Sequence, residues 1–522
     1  MPTKKISIGT FVLLVYLPIL LSLTYRFSGI KLDVETGGYV DEVSEPEISM
    51  AGYVDGQFQT QYEAWYDAVL LPKGVLTKLH NQIQYSAFRL AQSSVVIGGN
   101  YNLLNEVEIT EYLGRGVDYS SIDDEYNNVY IWINQLMSIQ EKLQRFDKQL
   151  LVYIAPAKVS YYGEDIPYRY RVVSTDVQRA VDYLRDNIRS TGIEFIDYVD
   201  VVGEDYPVFY KSGEHWSCTA EQEMGRQIIK SLEAMSGKRF RMFEMDKEVQ
   251  QQKEPFYSET DMLDLINIYS GYRDEYFYKY QLRPTYPDSF DGLSVLVQGD
   301  SFGETLTRFC YRGDEIHRLF YNNYYVRNNG GLKYLDGDFD NIDLGEILDQ
   351  VDFVIIECQE CLLSSVGGER WEFADYLDKY LDTYVPSEDY KQLYPERLDI
   401  NNESFQEYSY SGGFYGDDNG ELLVGDDFSY VIKNELVKDR GMRIVMSVQN
   451  LKWGGIETIH LYVNGIKMEQ REILETGEVV INIDGADIKA DDDVYRIEGL
   501  FSNSERMENA VQVKASYIGE VQ

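Results

Sequence analysis

The chain has 522 residues, too many for one ordinary hydrophobic core, so two or more globular parts are expected. Its 48 basic residues against 88 acidic ones leave a formal charge of −40. That balance excludes a nucleic-acid binder, since phosphate recognition needs a positive footprint, and disfavours electrostatic adhesion to anionic lipid or strongly acidic polymers.

Between Lys4-Lys5 and Arg26, the twenty residues from Ile6 to Tyr25 carry no charge. At 1.5 Å per residue a helix of that length spans about 30 Å, the thickness of a bilayer core. The run is longer than the core of a signal peptide, and no small-x-small cleavage site follows it. Pro18 is tolerated in a membrane helix, and the lysine pair favours a cytoplasmic amino end. Residues 1–26 are therefore expected to be a single-pass anchor in the cell membrane, with the bulk of the chain extracytoplasmic; a cleaved signal is the rival reading. Residues 27–52, acidic and holding Gly37-Gly38, read as a tether.

From 53 to about 400 helical and strand patterns alternate. Ile131 to Phe146 has apolar residues at helical spacing and leads into the run Leu150-Leu151-Val152-Tyr153-Ile154-Ala155. Val177 to Ile188 repeats the helical period, with Gly192 as its expected C-cap, before the strand Ile193–Ile196. Thr219-Ala220-Glu221-Gln222 has the form of a capping box opening a helix toward Leu232. The apolar run at Val295 to Val297, a helix at 344–351 and the strand Phe353-Val354-Ile355-Ile356 complete the pattern. Short continuous apolar strands separated by helices imply an α/β fold with a mostly parallel, buried sheet. Cys358 and Cys361 have C-x-x-C spacing, but no second ligand pair for zinc accompanies them. They read as chance spacing at a buried strand end, with a local disulfide left open.

Beyond 400 the pattern changes. Segments 443–448, 458–463, 479–483, 495–501 and 511–518 read as strands, with Asn464-Gly465 and Asp484-Gly485 as turns. Residues 401–522 are expected to form a C-terminal antiparallel β-sandwich, a possible carbohydrate-binding domain. Trp453, Tyr462 and Tyr430 are candidates to stack on sugar faces.

Two short segments carry chemistry. Val295-Leu296-Val297-Gln298-Gly299-Asp300-Ser301-Phe302 puts a hydroxyl at the carboxyl end of a buried strand, where ligands collect in α/β sheets. Tyr210-Lys211-Ser212-Gly213-Glu214-His215-Trp216 supplies one of the chain's four histidines. A serine and a histidine able to take its proton make an acyl-transfer site, and backbone N–H groups after Ser301 are candidates for an oxyanion hole. The imidazole also wants an orienting carboxylate. Glu214, Asp300, Glu204 and Asp205 are the candidates, and the residues do not choose among them.

The order of these motifs resembles the alginate O-acetyltransferase family, SGNH-hydrolase-like proteins that include the bacterial set named for an Asp-His-His-Trp motif. The likeness takes in Asn81–Ser86 with Val95–Asn100, Tyr153–Lys158 with Tyr161 or Tyr162 and Ile166-Pro167, the His215-Trp216 pair, Gly299–Phe302, and Glu357 with Glu360. It spans about residues 55 to 365. Two positions depart: the family's aspartate, two before the histidine, falls on Gly213, and its arginine falls on Cys361. The resemblance implies an SGNH-hydrolase-like domain at 53–400 that moves acetyl groups onto hydroxyls of an extracellular or cell-wall polysaccharide, with no cofactor or metal. It makes Ser301 the acyl-carrying nucleophile and His215 the general base, and it sets Lys158, Tyr161 and Trp216 at the substrate cleft. It also implies a membrane-bound acyltransferase as acetyl donor. A polysaccharide acetylesterase, or an inactive glycan-binding or exopolysaccharide-assembly factor, are the alternatives.

Overall fold

The computed structural model describes residues 49–387, short interior stretches excepted, and the strands between 414 and 519. Most of the candidate anchor and of the tether lies outside the described residues; among the described residues no helix is long and apolar enough to cross a membrane.

The body is built on one sheet. Its strands, in chain order with the two hairpins that flank it, are β1 (Val95–Ile97), β2 (Leu103–Asn105), β3 (Gln149–Ala155), β4 (Glu194–Asp197), β5 (Glu244–Gln252), β6 (Phe277–Arg283), β7 (Ser294–Gly299), β8 (Glu315–Phe320), β9 (Asn323–Asn328), β10 (Gly331–Asp336) and β11 (Phe353–Gln359). The sheet order is β10-β9-β8-β7-β11-β3-β4. From β8 to β4 the five strands run parallel, and β9 and β10 extend them as an antiparallel meander. The core strands β3, β7 and β11 are nearly continuous apolar runs, as strands buried on both faces are expected to be. Helix Asn128–Gln144 buries Val129, Trp132, Ile133, Leu136, Ile139 and Leu143, one stripe at helical spacing, and Asn127 caps it by accepting from the Tyr130 N–H.

Two helix boundaries differ from the expectation. The helix after His215 runs Cys218–Ser236, and Ser217, not Thr219, is its N-cap, its Oγ accepting from the Ala220 N–H. The helix before β4 stops at Ile188 with Arg189 as C-cap, so Gly192, at φ +80°, turns the chain into the strand instead of capping the helix.

The tail holds two antiparallel sheets. With β12 (Phe414–Gly416), β13 (Leu422–Val424), β14 (Asp427–Lys433), β15 (Met442–Leu451), β16 (Glu457–Val463), β17 (Ile466–Ile473), β18 (Gly477–Ile483), β19 (Val494–Phe501) and β20 (Val511–Gly519), the orders are β12-β13-β20-β15-β18 and β14-β19-β16-β17. Asn464 and Gly465 join β16 to β17 with φ of +47° and +72°, the left-handed pair that a tight hairpin requires. That hairpin sits on the body: the Phe290 N–H donates to the Gly465 carbonyl (2.8 Å) and the Tyr462 hydroxyl to the Pro287 carbonyl (3.0 Å). Tyr462 is fully buried against Phe290, so it is no platform for a sugar. Trp453, the Tyr430 side chain and the Asp484-Gly485 turn lie outside the described residues.

Candidate active site

The carboxyl ends of β3, β4, β7 and β11 meet at one edge of the sheet, and the polar residues of these strands gather there. β7 ends at Gly299 and passes through Asp300 into a 3-10 turn, Ser301–Glu304. Asp300 is almost fully buried and over-determined. Its Oδ1 accepts from the Phe302 N–H (2.9 Å), its Oδ2 accepts from the Gln359 N–H (3.0 Å), and its own N–H donates to Glu357 Oε2 (2.8 Å). A Cβ on Gly299 would lie 2.4 Å from that same Glu357 oxygen, so only glycine lets the strand end pass over the carboxyl. Burial, reinforced by the Asp300 charge, pushes the Glu357 carboxyl behind the turn well above the usual range. Ser301, half-buried, stands at the start of this rigid turn.

His215 reaches the same place from another element. The segment doubles back through a bridge between Phe209 and Trp216, and the Ser217 N–H donates to the Val208 carbonyl (2.7 Å). The His215 ring lies 4.9 Å, centre to centre, from the Phe302 ring, and Trp216 meets Phe302 edge-on at 5.3 Å. The residue next to Ser301 is thus the packing surface for the imidazole.

The imidazole has a carboxylate partner, Asp261. His215 Nδ1 is 2.5 Å from Asp261 Oδ2. Asp261 Oδ1 accepts from the Glu214 N–H (2.7 Å) and from the N–H of Met262 (2.8 Å). Burial alone would push the imidazolium down, but the Asp261 hydrogen bond and charge, with Glu214 and Asp300 behind them, outweigh it and hold the His215 pKa above the ordinary histidine value.

Asp261 opens the short helix Asp261–Leu265, 46 residues after the histidine, and was not among the sequence candidates. The reason it fits lies at Gly213. A Cβ there would sit 2.4 Å from the Glu259 carbonyl oxygen, so the strand of chain that delivers Asp261 runs through the space a side chain at 213 would need. The Leu263 N–H, donating to the Ser212 carbonyl (3.0 Å), fixes this approach. Gly213 and Asp261 are two parts of one arrangement.

The other expected site residues fall elsewhere. Glu214 points to Asn105, whose Nδ2 donates to its Oε1 (2.5 Å), and does not orient the imidazole. The Asp300 carboxylate is committed to backbone N–H groups. Glu204 and Asp205 lie outside the described residues. Lys158 is fully buried and bonded to three backbone carbonyls, which removes it from any cleft. Trp216 is 4% exposed and packs inside. Tyr161, 38% exposed, stays at the surface with its ring against Tyr198 and Phe209. Cys358 and Cys361 are free and buried, and burial pushes both thiols well above their usual range, the opposite of a redox pair. Among the described residues no cluster of three His, Cys, Asp or Glu side chains is placed to hold a metal ion.

No protein-family profile matches the chain, and no curated protein matches it. Solved structures do. The O-acetyltransferase domain of Pseudomonas putida AlgJ is 14% identical, covering 55% of this chain and 99% of its own, with a TM-score of 0.30. Pseudomonas aeruginosa AlgX is 10% identical over 82% of this chain and 95% of its own, with a TM-score of 0.35. Bacillus cereus PatB1 is 11% identical over 48% of this chain and 93% of its own, with a TM-score of 0.29. The functional reading rests on the chain's own side chains.

Proposed function

We propose that the chain is an O-acyltransferase that carries acetyl on Ser301 and passes it to a hydroxyl of an extracellular or cell-wall polysaccharide. The observation that carries this reading is the His215–Asp261 contact at Nδ1. A carboxylate there holds the imidazole proton on Nδ1 and leaves Nε2 as the base. In the first half-reaction Ser301 Oγ attacks the donor's acyl carbonyl and gives its proton to His215 Nε2. The leaving group departs with that proton, and an acyl-serine remains. In the second half-reaction an acceptor hydroxyl gives its proton to Nε2 and attacks the acyl-serine; Ser301 recovers the proton as the new ester leaves. The Asp261 carboxylate stabilises the imidazolium of each step. Splitting the transfer in two lets donor and acceptor occupy the site in turn.

Gly213, which taken alone favours a decayed site, is accounted for by Asp261. The two tail sheets are read as a β-sandwich that holds the same glycan, and residues 1–26 as the anchor that keeps the domain at the outer face of the membrane. There a membrane-bound acyltransferase supplies the acetyl group. The test is acetyl transfer from 4-nitrophenyl acetate to a panel of neutral and acidic oligosaccharides, read by product mass. Acetylated oligosaccharide, absent with Ser301→Ala, supports the transferase. Acetate released at the same rate with or without sugar makes the chain an esterase. No turnover with sugar binding intact makes it a binding protein.

A further inference from the structure

Lys158 opens the helix Lys158–Tyr162 just past the end of β3, and its side chain has no exposed surface. Its Nζ donates to the carbonyls of Leu103 (2.7 Å), Lys211 (3.0 Å) and Gly213 (2.7 Å). An ammonium has three protons, and here each has its own acceptor. Burial pulls the Lys158 pKa down to about 7, against the attraction of Glu108, Asp261, Asp274 and Glu214. A buried charge is tolerated only where its hydrogen bonds are complete, and the carbonyl cage meets that condition.

Two of the three carbonyls belong to the turn that precedes His215. Lys211 and Gly213 bracket it, and the third acceptor, Leu103, returns its own N–H to the Lys211 carbonyl (2.9 Å). The next residue, Glu214, is the one whose N–H must find Asp261 Oδ1. A buried acid beneath the site serves the other half. Glu108, fully buried and pushed up to about 8 mainly by that burial, accepts from Gln359 Nε2 (2.8 Å), and the Gln359 N–H holds Asp300 behind Ser301.

We infer that Lys158 is a positioning residue, whose ammonium fixes the carbonyls of Lys211 and Gly213 so that the Glu214 N–H and His215 Nδ1 register on Asp261. Its effect on rate rests on the reading of the site given under Proposed function; its effect on the His215–Asp261 hydrogen bond does not. The test is Lys158→Met in the full chain, which keeps the length of the side chain and removes its donors. Three quantities are read: the deshielded Nδ1 proton of His215 by histidine-labelled NMR, assigned with Asp261→Asn, and kcat and KM for 4-nitrophenyl acetate. The expected result is a folded variant that has lost that proton signal, with kcat down about 10²-fold, the scale of an ångström-level misplacement, and KM little changed. A folded variant with a lower Tm but the wild-type proton signal and kcat would overturn the inference, because a merely structural lysine behaves that way. If wild type shows no ester turnover, the acyltransferase reading fails and the proton signal still decides the role of Lys158. If Lys158→Met does not fold, lysine-labelled wild type at about pH 6, below the lysine value, gives the answer. A slowly exchanging ammonium in contact with the Glu214 amide proton supports the cage, and its absence overturns it.

Discussion

Replacing Asp261 by Asn isolates the orienting carboxylate from everything else the residue does. The amide oxygen can keep accepting from the Glu214 and Met262 N–H groups at 2.7 and 2.8 Å, so the short helix and the loop beside it stay anchored. The amide nitrogen, however, now faces His215 Nδ1 where Oδ2 stood at 2.5 Å. Two donors cannot share that contact, so the imidazole proton moves to Nε2 and the base nitrogen is blocked. In a Ser-His-Asp site the wrong tautomer costs about 10⁴ in kcat, which corresponds to about 5 kcal/mol of transition-state stabilisation. Stability should change little, because the backbone donors remain satisfied. The assay is steady-state turnover of 4-nitrophenyl acetate with thermal unfolding in parallel, beside Glu214→Gln as the control for the neighbouring acid. Wild-type turnover in Asp261→Asn, or a larger loss in Glu214→Gln, would refute the assignment.

Three further outcomes follow from the same geometry. Gly213→Asp, which puts an aspartate where the resembled family has it, should not rescue Asp261→Asn. Its Cβ would meet the Glu259 carbonyl at 2.4 Å, and the overpacking should cost about 1–3 kcal/mol, seen as a lower Tm. Glu357→Gln should fold and turn over nearly as wild type, because burial and the Asp300 charge disfavour the ionised carboxyl and the amide oxygen can still accept from the Asp300 N–H; Glu357→Ala should lose about 1–3 kcal/mol by stranding that N–H, read by denaturant melts. The pH profile of kcat/KM should lose activity as pH falls through a histidine value above the ordinary ~6.5, since the base must be neutral and its pKa is raised. In Asp261→Asn the raising charge is gone, so that limb moves to lower pH. By linkage, the raised value also means that His215 contributes stability at acid pH, lost as pH rises through the folded value.

The candidate serine and histidine were legible because each sits on a local pattern. Ser301 follows an apolar strand and a Gly-Asp turn, and His215 precedes a capped helix. Asp261 was not, because its role depends on a contact 46 residues away and its own segment carries only a short helix of five residues. The one local trace of it was the glycine at 213, a missing side chain that reads as loss until the Glu259 backbone is found in its place. Lys158 was misplaced for a related reason. A lysine at a strand end is solvated by default, and only the three converging carbonyls reveal a buried ammonium. In the fold, β3, β7 and β11 were readable as unbroken apolar runs, and β16 with its Asn464-Gly465 turn by hairpin chemistry. The β8–β10 meander escaped notice because its strands mix charged residues and tyrosines without a clean apolar run.

The central claim is that Ser301 carries the acyl group with His215 as its base. Intact-mass spectrometry of the full chain after brief exposure to 4-nitrophenyl acetate tests it most directly, with Ser301→Ala and His215→Ala alongside. The account predicts one added acetyl on wild type, mapped by peptide to Ser301 and missing from both variants. An adduct that persists in Ser301→Ala, or a wild-type chain that takes up no acetyl and turns over no ester, would contradict it.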